Sequence, residues 1–273
     1  MKRCIKKTIC LLLAGICCVN MLTGCSSRLT PAKLMSAVTE NLAEVTSVSN
    51  SLSMDIELED VLDSTKISMD MEMENTTKPM AGHAEGTAEV DMSGTKVGSD
   101  IEIYQVTEDK QFVTYSSMYG KWSRESSKNP KKSTFNGNLF QEAGNSVKSF
   151  RIAEEPVQVQ EEECYEMYGD ITGKELLQFM GLDMMEAFGL VDIPGGDTIA
   201  ELKIPVTIDV YKEKMLPARV MIDMTDVMND LYDQYDKSTN VNNFMIKLGY
   251  TGFNEVQKIE VPQDVKQAAE GAL

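Results

Sequence analysis

Three kinds of side chain in this chain are of types that can do chemistry, and their spacing limits what each can do. His83 is the single histidine, in Met80-Ala81-Gly82-His83-Ala84-Glu85-Gly86. Without a second histidine or a cysteine pair, a zinc site of nitrogen and sulfur ligands has too few donors. A serine triad would need the same ring, and no Gly-x-Ser-x-Gly elbow accompanies it. Cys164 sits in Glu161-Glu162-Glu163-Cys164-Tyr165. Carboxylates there raise a thiol's pKa rather than activate it, so Cys164 reads as a packing residue. Asp223, Asp226, Asp230 and Asp233 lack the loop glycine and spacing of an EF-hand and fit the solvated face of a helix. Other carboxylates are plentiful, but most alternate with apolar residues and so face water. No glycine-rich phosphate loop occurs, and Gly195-Gly196 after Pro194 is a turn. These residues point away from an enzyme, and neither a metal nor a cofactor is expected.

The thiol with a different prospect is Cys25. Lys2, Arg3, Lys6 and Lys7 begin the chain, an apolar run follows from Ile9 to Val19, and Leu22-Thr23-Gly24 leads into the cysteine. A basic start, a short apolar stretch and a small-residue step make a secretory signal. The run falls short of the roughly 20 residues that span a bilayer. The pattern resembles the lipobox of bacterial lipoproteins. That resemblance implies that Cys25 takes a diacylglyceryl group and that the chain is cut just before it. Residues 1–24 would then be a cleaved signal, 25–30 the lipidated cysteine and a short tether, and 31–273 the folded domain. The lipid anchor makes a membrane the first expected partner and places the protein on the extracytoplasmic face of the cell membrane.

Cleavage also changes the composition. Cys4, Cys10, Cys17 and Cys18 leave with the signal, so Cys164 has no partner for an intramolecular disulfide, and the hydrophobic core must stabilise the domain. The formal charge of the whole chain is −17. Because the signal carries four basic and no acidic residues, the remaining 249 residues stand at −21. Such acidity excludes nucleic acid as a partner and disfavours adhesion to anionic lipid, since both need concentrated Lys and Arg.

The elements that must position these residues follow from periodicity. Thr30 and Pro31 fit an N-cap and first turn, and Leu34, Met35, Val38, Leu42 and Val45 recur at helical spacing over 31–46. The pattern then switches to period two. Leu52, Met54, Ile56 and Leu58 alternate with Ser53, Asp55 and Glu57, and Ile67, Met69, Met71 and Met73 with Ser68, Asp70 and Glu72. Ala88, Val90 and Met92, then Ile101 and Ile103, continue it, and 111–118 reads as a further strand. Residues 123–138, with Arg124, Lys128, Lys131, Lys132 and Pro130, read as a basic loop. Strands resume over 148–159 and 163–170. A second helix starts at Thr172 with Glu175 completing a capping box, its stripe formed by Leu176, Leu177, Met180, Met184 and Phe188. Ile204, Val206, Ile208 and Val210 alternate, as do Ala218, Val220, Ile222 and Met224. A short helix over 225–236, a strand pair over 244–260 and a weak helix over 263–272 end the chain. The expectation is an α+β domain: a single curved antiparallel sheet of about ten strands, with helices packed on its concave apolar face. Strand–helix alternation is missing, which disfavours a parallel α/β fold.

Methionine is the positive signal. Of 19 in the chain, all but Met1 and Met21 remain after cleavage, many of them on apolar faces. Methionine is flexible and polarizable, and repacks around varied partners. Residues facing the inside of such a sheet are Ile56, Leu58, Met69, Met71, Met73, Val90, Met92, Ile101, Ile103, Met180, Met184, Val206, Ile208, Ile222 and Met224. They line either a cavity for a lipid or other hydrophobic small molecule or a closed core that uses Met in place of Leu.

In order and spacing, the chain resembles the LolA/LolB-like superfamily of bacterial envelope lipoproteins, including the LppX/LprG group. The resemblance runs from the helix Leu34 to Val45 into the Met-Asp-Ile-Glu-Leu strand and through Tyr119-Gly120-Lys121-Trp122. It continues in the stretch from Cys164 to Leu176 that includes Tyr168-Gly169-Asp170-Ile171-Thr172-Gly173-Lys174-Glu175, and closes on Tyr250-Thr251-Gly252-Phe253-Asn254-Glu255-Val256 and Ile259-Glu260-Val261-Pro262. It covers nearly all of residues 25–273. It implies a half-barrel around a hydrophobic cavity, lipid binding at the envelope, and no catalytic motif. The alternative is a non-enzymatic surface interaction or sensor protein with a closed core that binds another envelope protein.

Overall fold

The period-two alternation becomes one open antiparallel sheet in the computed structural model, which describes residues 29–127, 147–180, 202–235 and 238–270. The signal, Cys25, most of the basic loop, Met184 and the turn at 193–197 lie outside these, as does the side chain of Met180. The described residues from Pro31 onward belong to one compact unit.

The strands are β1 (Ser47–Glu59), β2 (Ser64–Thr77), β3 (Met80–Met92), β4 (Thr95–Glu108), β5 (Gln111–Met118), β6 (Lys121–Ser127), β7 (Arg151–Ile152), β8 (Val157–Val159), β9 (Glu162–Thr172), β10 (Lys203–Tyr211), β11 (Pro217–Asp223) and β12 (Asn240–Phe253). The helices are α1 (Pro31–Leu42), α2 (Gly173–Met180), α3 (Thr225–Tyr235) and α4 (Gln263–Glu270). Spatial order is β6-β5-β4-β3-β2-β1-β12-β11-β10-β9-β7, with β8 also on β9, so the last strand pairs with the first. Four connections are two-residue hairpins with both central residues at positive φ: Ser93-Gly94, Asp109-Lys110, Tyr119-Gly120 and Gln160-Glu161. That geometry matches the right-handed twist of the strands it joins.

Opposed residues of an antiparallel pair point to the same face, so the register draws apolar rows across the sheet. One row runs Met71–Leu52–Leu248–Val220–Ile208–Met167, and the next Met69–Met54–Ile246–Ile222–Val206. All of these residues are buried. Helix α1 buries Leu34, Met35 and Val38, and its Asn41 Nδ2 donates to the carbonyls of Lys214 (2.9 Å) and Met215 (3.3 Å) in the β10–β11 turn. Helix α2 carries the expected capping box: Thr172 N–H donates to Glu175 Oε2 at 2.6 Å, and Glu175 N–H to Thr172 Oγ1 at 3.2 Å. Helix α3 is tied to β12 through Asn229, whose side chain exchanges two hydrogen bonds with the Val241 backbone (2.8 and 2.7 Å).

Helix α4 goes to the other, outer face. Its Val265 and Ala269 pack with Ile259 on Ala81, Tyr104, Val106, Val113 and Tyr115, with Trp122 at the margin. The register places these strand residues opposite in parity to Ile101 and Ile103. Sequence alternation had no means of showing this, because it marks both faces of β4 and β5 as partly apolar. Other boundaries also differ. The described sheet has 12 strands rather than about ten. The first residues of the expected basic loop form β6, and the expected strand pair over 244–260 is the single strand β12 followed by irregular chain.

On the outer face of β10 and β11, Asp209 is fully buried. Its Oδ2 accepts Arg219 Nε–H at 2.8 Å, while its Oδ1 has no partner. Burial pushes the carboxyl above its ordinary value of 3.8, against the opposing pull of Arg219. A carboxyl that binds its proton more readily when folded gives stability that is full below the unfolded value and is lost as pH climbs through the folded value. Asp209→Asn should therefore flatten the decline in stability above pH about 4. Guanidinium unfolding at several pH values measures this, and a variant curve parallel to the wild type would count against it. In the same assay, Met54→Ala, at the centre of the inner face, should cost about 2–5 kcal/mol. Lys66→Ala, which removes an exposed ion pair, should leave the unfolding midpoint close to that of the wild type.

Candidate functional site

The inner face is not equally filled along its width. Toward β9 the inner positions hold branched or long side chains, save Gly169, where Phe150 packs against the backbone, and the face is closed. On β3 the inner positions are Gly82, Ala84, Gly86 and Ala88. They lie between Asn75, Met73, Met71 and Met69 of β2 and Gln105, Ile103, Ile101 and Ser99 of β4. Two walls of long side chains therefore flank a low floor. At Gly86 a Cβ would stand 1.9 Å from the Asp70 carbonyl oxygen, so the backbones of β2 and β3 approach there as no other residue allows.

The result is a cavity of about 420 Å³ over β1 to β5, within the usual range of ligand sites, about 300–1,000 Å³. Its walls are Leu52, Met54, Ile67, Met69, Met71, Met73, Ala84, Ala88, Val90, Ile101 and Ile103, with Ser99 among them. Val97, Met118 and Tyr119 also line it and are half-exposed or more, so they form its rim. The Tyr119-Gly120 turn is fixed there because Tyr119 N–H donates to Ser99 Oγ at 2.8 Å. Asn75, Gly82 and Gln105 line the far end.

The residues nominated from the sequence divide into groups. Met69, Met71, Met73, Val90, Ile101 and Ile103 line the cavity. Ile56, Val206, Ile208, Ile222 and Met224 are buried elsewhere in the core, Leu58 is half-buried and Met92 is exposed at a hairpin. Met184 and the side chain of Met180 lie outside the described residues. The small residues of β3 are not among the nominated residues, although Gly82-x-Ala84-x-Gly86-x-Ala88 is itself a period-two signal. It marks where side chains are missing from one face.

The residues first considered for chemistry serve structure. His83 lies near the start of β3 and is half-buried. Its ring stacks on Tyr104 at 4.3 Å and its Nε2 lies 3.3 Å from Glu102 Oε1, which also accepts Tyr104 O–H at 2.8 Å. Among the described residues, His83, Glu85 and Glu102 are the one group whose ligand atoms converge, within 4.8 Å of one another. These side chains sit on the outer face, although His83 also borders the cavity, and Glu102 is already engaged. Asp223, Asp226, Asp230 and Asp233 are exposed. Cys164 is buried, and burial first, then Asp209 and Glu162, push its thiol up to about 11.

A single open antiparallel sheet with helices and an apolar cavity on its inner face defines a half-barrel. The chain belongs to the family of unknown function DUF6612, whose model matches residues 30–270. In structure it is similar to LprF from Mycobacterium bovis, at 13% identity over 85% of this chain and 96% of that one, with a TM-score of 0.47. It is similar to the Mycobacterium tuberculosis lipoprotein LppX, at 12% identity over 84% and 98%, with a TM-score of 0.45. A domain from Vibrio parahaemolyticus described as an outer membrane lipoprotein-sorting protein aligns at 12% identity over 87% and 98%, with a TM-score of 0.26. These are among the lipoprotein groups that the sequence resemblance names. No curated protein matches the chain by sequence.

Because the thiolate is the reactive form, Cys164 should resist alkylation in the folded protein. Iodoacetamide at pH 8 should leave the Cys164 peptide unmodified by mass spectrometry until denaturant is added. Rapid labelling of the native chain would contradict the buried assignment.

Proposed function

We propose that this protein is a lipid-anchored extracytoplasmic lipoprotein that holds a lipid or other hydrophobic molecule at the cell membrane. The observation that carries the binding reading is the cavity of about 420 Å³ walled by methionine and isoleucine. Burial of an apolar chain there contributes about 25 cal/mol per Å² removed from water, and methionine walls adapt to chains of different shape. Anchoring rests on Leu22-Thr23-Gly24-Cys25. Among the described residues no helix is long and apolar enough to cross a membrane. The reading is non-enzymatic, since no nucleophile in the cavity lining stands beside a base. A second reading, binding of another envelope protein, draws on the outer face. There Glu72, Glu85 and Glu102 stand directly opposite one another on β2, β3 and β4, an arrangement that favours a basic partner.

Two experiments test the proposal. The full-length chain carrying Cys25→Ala, purified gently, should show co-purified lipid by native mass spectrometry and take up a fluorescent fatty-acid probe. Ala88→Phe, which fills the floor between Met69 and Ser99, should reduce uptake at least tenfold without lowering the melting temperature. Probe uptake unaffected by Ala88→Phe would remove the cavity from the account. In cells fed alkyne-tagged palmitate, the wild-type protein should be labelled and Cys25→Ala should not; a labelled variant would refute the anchor.

A further inference from the structure

The cavity is apolar along its walls but ends in amides. Its floor runs in register from Ile67, Val90 and Val97 at one end to Asn75, Gly82 and Gln105 at the other. From Ile67 to Asn75 is eight residues of strand, about 27 Å at the usual rise. That length suits one extended acyl chain better than a compact ligand. In the terminal row, Gly82 separates Asn75 from Gln105, so the two amides flank a position without a side chain. They are two strand spacings apart, about 10 Å, and both can reach a group seated over Gly82. Asn75 leans toward that position: its Oδ1 lies 2.8 Å from where a Gly82 Cβ would be.

Asn75 Nδ2 is buried and has no hydrogen-bond partner. Asn50, fully buried, leaves both its amide nitrogen and its amide oxygen without a partner. The register sets it opposite Met73, on the same face and one row inward from Asn75. Buried amides are ordinarily satisfied, and each orphan costs free energy that a partner restores. Asn75 lines the cavity, while Asn50 stands in the adjacent row without lining it, so the unpartnered Asn75 amide marks a place where a ligand supplies a missing partner. The lining contains no Lys, Arg, Asp or Glu. Its ionisable rings are His83, held by Glu102 and Tyr104 on the outer face, and Tyr119 at the exposed rim. A charged head group would enter without a counter-ion, at a steep desolvation cost.

We propose that the Asn75–Gly82–Gln105 row, backed by Asn50, is a head-group subsite for an uncharged amphiphile. Such a ligand has one long acyl chain and a hydroxyl or ester carbonyl, and a fatty-acid anion is rejected. This rests on the cavity reading above and names the ligand class that the cavity selects. The amides accept and donate at the head while the chain lies along Met73, Met71 and Met69 toward the rim.

The test uses the full-length chain carrying Cys25→Ala and the fluorescent apolar probe N-phenyl-1-naphthylamine, displaced by 1-monooleoylglycerol or by oleate at pH 8. The wild-type cavity should give up the probe to monooleoylglycerol at a concentration at least tenfold below that of oleate. Asn75→Leu with Gln105→Leu should keep probe binding and reduce that preference below threefold. Because the substitution removes an unsatisfied buried donor, the melting temperature should hold or rise. Should the double variant fail to fold, Gln105→Leu alone, at a half-buried position, must lower the preference at least threefold. A variant that retains the tenfold preference, or a wild type that favours oleate, overturns the subsite and leaves the cavity standing. A wild type that takes up no probe overturns both.

Discussion

Antiparallel register is the constraint on which the rest of this structure depends. Side chains alternate across a strand, so sliding any strand by one residue would turn its whole apolar set to water. The register that avoids this aligns Met71 with Leu52, Leu248, Val220, Ile208 and Met167 across six strands. It requires β12, at the end of the chain, to pair with β1 near its start. The same alignment decides what faces outward, so the acidic outer face follows from the packing of the inner one.

Within that frame, residue size separates core from cavity. Where β9 to β12 present Ile, Val, Leu and Met inward, the face closes. Where β3 presents Gly82, Ala84, Gly86 and Ala88, the long side chains of β2 and β4 stand over a gap. An interior normally packs to crystal-like density, and a row of small residues lined up in register prevents that locally. Met69, Met71 and Met73 form one wall of the gap. Their flexibility suits a wall that must pack against whatever fills it.

The outer face shows how the groups with chemical potential are spent on structure. Glu108 accepts from Tyr115 O–H at 3.0 Å and Lys266 Nζ at 2.6 Å, with Arg124 at 3.7 Å. Burial raises this carboxyl and those donors outweigh it, so the net shift is downward. The network fastens α4 over the aromatic patch of Tyr104 and Tyr115. His83 completes the patch by stacking rather than by catalysis. Cys164 packs with Val159, Tyr211 and Ala218, and its raised thiol is a result of that burial.

Much of the fold was legible because its information is local. Period-two runs announced the strands, and Thr172 with Glu175 announced the start of α2. Six inner residues named from alternation alone, Met69, Met71, Met73, Val90, Ile101 and Ile103, line the cavity because parity is fixed by the chain itself. Three things were decided only by the tertiary structure. The covering of Tyr104 and Tyr115 by α4 depends on a helix more than 140 residues away in sequence. The cavity depends on which strand lies beside β3, since small residues leave space only between tall neighbours. The unpartnered amides of Asn50 and Asn75 depend on burial, and a sequence records an amide without recording whether water reaches it.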